Sequence, residues 1–194
     1  DDVVRGGRRL TGLMRGIAGE RWFRHPYTHT GPTTEIKAGL EKFLAGRGYR
    51  IAPFTIENSD WIFSAAYARA KAAGDEALAA KVRDTYLDYS DSMVAWFETV
   101  AKDTFGRHIP QILLIHTNEI HTDALDALLT RIEQRGYRWV TLAEAMKDPA
   151  YATPDHYVGK SGPSWLHRWR VGKNLPSRLP EEPDAPQWVV ELSK

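Results

Sequence analysis

Trp22-Phe23-Arg24-His25-Pro26-Tyr27-Thr28-His29-Thr30-Gly31 is the stretch on which the reading of the fold turns. Trp22 and Phe23 read as the end of a buried strand. Arg24 then stands where such a strand leaves its sheet, and Pro26 stops the ladder because it has no N–H to donate. The following Thr30-Gly31-Pro32-Thr33-Thr34 supplies turn and N-cap chemistry for a helix. Strand end, loop and helix start is the arrangement at which α/β proteins place reactive side chains. The same residues also fit a polar loop around a packed arginine.

Working outward, a helix is expected over Asp1 to Ala18, with Val3, Val4, Leu10, Leu13, Met14 and Ile17 as a loose apolar stripe. The Asp1-Asp2 pair suits capping and the helix dipole better than metal ligation. A second helix is expected from Thr33 to Ala45, ending at Gly46 and Gly48, and then a strand over Tyr49–Ile56. Glu57-Asn58-Ser59-Asp60-Trp61 is read as the loop beyond that strand. Helices follow from Ile62 to Ala73 and from Asp75 to about Lys102, the second with Val82, Tyr86, Met93, Phe97 and Val100 at helical spacing. Gln111-Ile112-Leu113-Leu114-Ile115 is nearly continuous apolar sequence, as in a strand buried on both faces of a parallel sheet. It delivers His116-Thr117-Asn118 to the strand's C-terminal end. Thr122 is expected to cap the next helix, Tyr137–Val140 to form a short strand, and Thr141-Leu142-Ala143-Glu144 to be a capping box.

An internal echo ties these units together. Arg47-Gly48-Tyr49-Arg50 and Arg135-Gly136-Tyr137-Arg138 are identical, each between an amphipathic helix and a candidate strand. Repeated β/α units with buried parallel strands mean a doubly wound sheet or a β/α barrel. Beyond Pro149 the chain turns to Pro, Gly and Trp without clear periodicity. There a tail is expected to wrap the domain, anchored by Trp165, Leu166 and Trp169.

Composition narrows the functional classes. The 194 residues, 42% hydrophobic with 7 Trp and 8 Tyr, suffice for one full domain or most of a larger one. Lys+Arg of 26 against Asp+Glu of 25 leaves a net charge of +1, which gives no general field for nucleic acid. With no cysteine, disulfides, thiolate metal sites and Cys nucleophiles are excluded. No apolar run approaches the roughly 20 residues of a membrane span. The chain begins with neither an initiator Met nor a signal peptide, so a piece of a longer precursor is expected.

Three loops are thus expected on one face: Arg24–His29, Asn58–Trp61 and His116–Asn118. Their Arg, Asp and His, walled by aromatics, suit a hydrolase. These residues carry a resemblance. Arg24-His25-Pro26-Tyr27 is similar to the Arg-x-Pro-Tyr motif of the polysaccharide deacetylases (carbohydrate esterase family 4, the NodB-homology domain). Asp60-Trp61 resembles that family's Asp-Trp motif, and Leu114-Ile115-His116 its Leu-x-His motif. Tyr157-Val158-Gly159 and Ser164–Trp169 resemble the tail of a bacterial subgroup. The likeness runs from about Asp1 to Arg170.

The resemblance implies a partial distorted (β/α) barrel over 1–148, with a helical insertion at about 62–104 and a C-terminal wrap over 149–194. It implies a hydrolase that removes N-acetyl or similar acyl groups from a polysaccharide or amino sugar with a divalent metal, usually zinc, and an extracytoplasmic location. Arg24 would hold a catalytic-base Asp through a charge-assisted pair. Tyr27 would offer its backbone N–H to the oxyanion. Asp60 would orient His116 or brace Arg24, and His116 would protonate the leaving amine. Trp61 and Leu114 would wall the acyl pocket, with Pro26 and His29 along the substrate groove.

The family's metal-binding motifs, a Thr-Phe-Asp-Asp type strand end and a His-x-x-x-His loop, have no counterpart here. The base and all three metal ligands are therefore expected to be missing, and this chain by itself to be inactive. His25 and His29 have His-x-x-x-His spacing, but Pro26 between them forbids a regular helix. His121 is expected beside a helix start, and His108, His156 and His167 at surface or packing positions. Two rival readings stand beside the deacetylase. One is a carbohydrate-binding module or pseudoenzyme without turnover. The other is an unrelated β/α-barrel hydrolase, although no pair of Glu residues at strand ends favours a glycosidase.

Overall fold

A computed structural model describes residues 2–13 and 20–194. The described residues are 59% helix and 5% strand. Its largest elements are α3 (Asp60–Ala72), α4 (Glu76–Phe105) and α5 (Glu119–Gln134). At 1.5 Å per residue the 30-residue α4 is about 45 Å long and forms the spine. Helix α3 packs along α4 and α5, and α5 packs on α4 as well. Phe63, Ala66, Val82, Tyr86, Met93, Phe97, Val100, Ile120 and Leu128 fill the space between them and are buried.

The sheet is small. β1 (Arg21–Phe23) pairs in parallel with β2 (Tyr49–Ile51) in the register Arg21↔Tyr49, Trp22↔Arg50, Phe23↔Ile51. Helix α2 (Thr34–Ala45) joins them, and the Thr33 hydroxyl caps it by accepting from Ile36 N–H. Beyond β2 the chain stays extended and meets residues 111–114 through one parallel bridge, Ile56↔Leu113. Ile56 N–H donates to Ile112 O at 3.1 Å, and Leu114 N–H donates to Ile56 O at 2.8 Å.

The expected (β/α) barrel is therefore corrected. Closure needs an unbroken, staggered ladder from strand to strand, and the described residues contain only the two-stranded β1–β2 sheet. Pro53 and Pro110 remove ladder donors just where β2 and the 111–115 run need them. Ile112 N–H is taken by the Thr55 hydroxyl at 2.7 Å rather than by a neighbouring backbone carbonyl. Residues 137–140 form no ladder; Trp139 and Val140 are exposed, and the Trp139 indole donates to Glu133 at 2.7 Å. Residues 62–104 supply about half of the buried residues of the core cluster.

Several boundaries also move. The first helix, α1, spans Asp2–Leu13; its expected extension to Ala18, and Asp1, lie outside the described residues. Asn118, not Thr122, caps α5, its side-chain oxygen accepting from His121 N–H. Thr141 caps the four-residue α6 (Leu142–Ala145) by accepting from Glu144 N–H. In the tail, α7 (Trp165–Gly172) packs on α4 and α8 (Gln187–Leu192) on α3. Trp165, Leu166 and Trp169 are buried.

Arg168 lies fully buried beside them, its guanidinium 4.0 Å from the centre of the Trp165 ring. It donates to Thr28 O, Thr30 Oγ1, Pro163 O and Asp155, so it pins the tail to the Arg24–Gly31 stretch.

Candidate functional site

Asp60 is the first residue of α3 and is only 2% exposed. Ser59 before it has φ 51°, a left-handed backbone that costs a non-glycine residue on the order of 1 kcal/mol. Glu57 fixes this bend by accepting from Ser59 N–H at 3.1 Å. The Asp60 carboxylate then accepts three hydrogen bonds. They come from His116 Nδ1 at 2.8 Å, His116 N–H at 2.7 Å and Asn118 Nδ2 at 2.9 Å. A buried carboxylate is tolerable only with such compensation. Because the carboxylate accepts, His116 Nδ1 carries the proton, and Nε2 is the free nitrogen on a side chain that is 55% exposed.

A second layer holds His116 from behind. His121, on α5, donates from Nδ1 to His116 O at 2.7 Å, and its Nε2 lies 2.7 Å from the Tyr86 hydroxyl. With Nδ1 donating, Nε2 of the neutral ring accepts from Tyr86, whose oxygen accepts in turn from Asn58 Nδ2 at 2.8 Å. Burial and the nearby Asp60 charge push the Tyr86 hydroxyl pKa upward, so it stays a donor. Asn58 and Asn118 were expected on the site loops, Tyr86 on a helical stripe and His121 beside a helix start, but none of their hydrogen bonds around His116 was expected. Only Asn118 carried a usable signal, as an Asx residue before Glu119-Ile120.

Glu57 is a further residue that the sequence did not single out. Burial, and after it the neighbouring Glu182 and Asp60 charges, push its carboxyl pKa up to about 7, against the opposing Ser59 N–H. Glu182 accepts in turn from His167 Nε2 at 2.6 Å, a bond made within the C-terminal segment.

The other expected site residues do not join the Asp60–His116 pair. Among the described residues no hydrogen bond, ion pair or ring contact connects Arg24–His29 with Asp60 or His116. Of the two roles left open for Asp60, the geometry matches the orientation of His116; Arg24 is not its partner. Arg24 instead donates from Nη2 to Pro53 O at 3.1 Å and lies 5.8 Å from the Phe54 ring centre. Tyr27 is 88% and Trp61 63% exposed; Pro26 and His29 are exposed as well. Leu114 packs against the core, its N–H bonded to Ile56 O.

The residues present do not fit the metal that the resemblance implies. Among the described residues no group of three or more His, Cys, Asp or Glu is placed to hold an ion. His25 and His29 do not converge: His25 is buried edge-on against Phe23, and His29 stands outside beside Tyr27. Burial, reinforced by the Arg168 charge, lowers the His25 pKa to about 4, and neither of its ring nitrogens has a partner. What the arrangement can do chemically is proton transfer through His116, poised by Asp60.

No family model matches the chain, and neither a curated protein nor a solved structure matches it.

Proposed function

We propose that His116 and Asp60 form the acid–base element of a hydrolase that removes N-acetyl or similar acyl groups from an amino sugar or polysaccharide. The observation that carries this reading is a buried carboxylate bonded to one nitrogen of an exposed imidazole, 2.8 Å away. As the C–N bond of the amide breaks, protonated His116 gives its Nε2 proton to the departing amine. The acyl carbon keeps the oxygen of the attacking water, so acetate and a free amino sugar result. Asp60 stabilises the imidazolium and keeps the ring turned outward. The resemblance assigns water activation and the metal to motifs outside this chain, and no step is assigned to Arg24. An extracytoplasmic location also belongs to this reading and rests on the resemblance alone.

The test uses a protein that contains those motifs together with this chain. His116→Ala is expected to slow kcat by about 10²- to 10⁴-fold, the usual size of general acid catalysis, with KM little changed. It should also remove the alkaline limb of the pH–rate profile. An unshifted profile accompanied by lost thermal stability would make His116 structural.

One observation favours a second reading, sugar binding without turnover. Tyr27 and Trp61 present large exposed rings of the kind that stack on pyranose faces. Oligosaccharide binding that survives His116→Ala, with no acetate released by the unmodified protein, would select it.

A further inference from the structure

A cavity of about 350 Å³ is lined in part by residues of the 111–115 segment, and neither Asp60 nor His116 is on its lining. Its walls are mainly aliphatic, including Ile112, Leu113, Ile115, Leu129 and Val140. Small-molecule sites of this kind run from about 300 to 1,000 Å³ and are mostly apolar with a few polar groups. The charged side chains on the lining are both cationic, Arg24 and Arg138, and no Asp or Glu lines it.

Arg24, which is partly buried, differs from the two buried arginines, Arg168 and Arg170. Arg168 bonds a carboxylate, a hydroxyl and two carbonyls, and Arg170 bonds a carbonyl and a hydroxyl. Arg24 has only Pro53 O, and its Nε is buried without a partner. Gln111 Oε1 is a second buried and unmet polar atom on the same lining. A guanidinium taken partly from water, with no anion facing it, carries an uncompensated desolvation cost. A bound anion removes that cost, and aliphatic walls ask for an apolar body behind the anion.

We infer that this cavity is a binding site for an amphiphilic monocarboxylate, its carboxylate on Arg24 and its hydrocarbon body along Leu113, Ile115 and Leu129. Arg138, exposed on the lining, adds a second positive charge. The inference does not depend on the reading of His116, and its test needs no turnover.

Calorimetric titration of the chain with octanoate, 1-octanol and octyltrimethylammonium tests it. These probes share one hydrocarbon chain and differ in the head group. Octanoate is expected to bind, octanol about 10- to 100-fold more weakly, as expected for a lost charge-assisted bond, and the cation not at all. Arg24→Met keeps the apolar stem and should bring octanoate down to the octanol level. Leu129→Trp fills the cavity and should abolish binding of both. Equal affinity for octanoate and octanol, no octanoate binding at millimolar concentration, or unchanged octanoate binding in a folded Arg24→Met or Leu129→Trp variant would each overturn the inference. If Arg24→Met does not fold, the head-group comparison on the unmodified chain still decides.

Discussion

Asp60 does two jobs at one position. It opens α3, where a negative charge meets the positive end of the helix dipole, and it fixes the tautomer of His116 across 56 residues of sequence. Both depend on its charge rather than its shape. Asp60→Asn keeps the shape but replaces one accepting oxygen with an N–H₂, which must then face either His116 Nδ1 or the pair His116 N–H and Asn118 Nδ2. In that variant His116 should lose its preference for the Nδ1–H form. Nitrogen-15 chemical shifts of the neutral ring read this directly. The unmodified chain should show the Nδ1-protonated pattern, and Asp60→Asn should move towards the commoner Nε2–H form. Identical shifts in the two proteins would mean that the Asp60 bond does not govern the ring.

At the scale of elements, the Arg24–Gly31 stretch is held by the tail rather than by a sheet. Tyr27 and Thr28 both have positive φ, 51° and 55°. The Thr28 hydroxyl donates to Gly162 O at 2.6 Å. A Cβ on Gly162 would collide with Thr28 Oγ1 and with the backbone oxygen of Tyr27. The Tyr27 oxygen is backbone and cannot move without shifting the loop, and the Thr28 hydroxyl can rotate away only by giving up its bond to Gly162 O. Gly162→Ala should therefore destabilise the chain by about 1–3 kcal/mol, the range for overpacking a close contact. Gly39→Ala, in α2 with nothing within 4 Å of the new methyl, should instead stabilise it by about 0.4–1 kcal/mol. Thermal melts of the two variants check the pair. Equal effects would mean that the tail does not clamp the loop.

At the scale of the whole molecule, two buried groups give stability an opposed pH dependence. Glu57 has its pKa raised from 4.5 to about 7. Between these values the native state keeps a proton that the unfolded chain has lost, so this contribution is present at low pH and disappears as pH rises through about 7. His25 has its pKa lowered from 6.5 to about 4. Its native state stays neutral where the unfolded chain is charged, so its contribution is lost as pH falls through the same interval. The two slopes oppose each other between pH 4.5 and 6.5, and above that only the Glu57 slope remains. Glu57→Gln should raise the melting temperature at pH 8 relative to the unmodified chain and leave a stability that climbs steadily from pH 4 to 6.5. Denaturant unfolding over that range checks the sign. A variant less stable than the unmodified chain at pH 8 would show that the buried Glu57 charge is better compensated than its surroundings indicate.

The sequence by itself determined what depends on neighbours a few residues away. The apolar period of 3.6 and the glycine stops placed α2, α3 and α4 to within a few residues, and Thr33 and Thr141 were recognisable as caps. The Arg-Gly-Tyr-Arg echo is a true local junction, since Gly48 and Gly136 both have positive φ, 73° and 92°. Even so, one copy runs into β2 while the other runs into chain that pairs with nothing in a ladder. His116 was legible as a loop residue because it follows an apolar run, whereas Asp60, expected in the loop before a helix at Ile62, is itself the first residue of α3. Their 2.8 Å contact, and the Asn58–Tyr86–His121 chain behind it, could not be read, because α4 places Tyr86 against α5 only once both helices have packed. Tertiary structure alone decided that Gln111–Ile115 and Tyr137–Val140 are not barrel strands. An apolar extended run satisfies its side chains equally against a sheet or against helices, whereas strand identity belongs to backbone partners elsewhere in the chain.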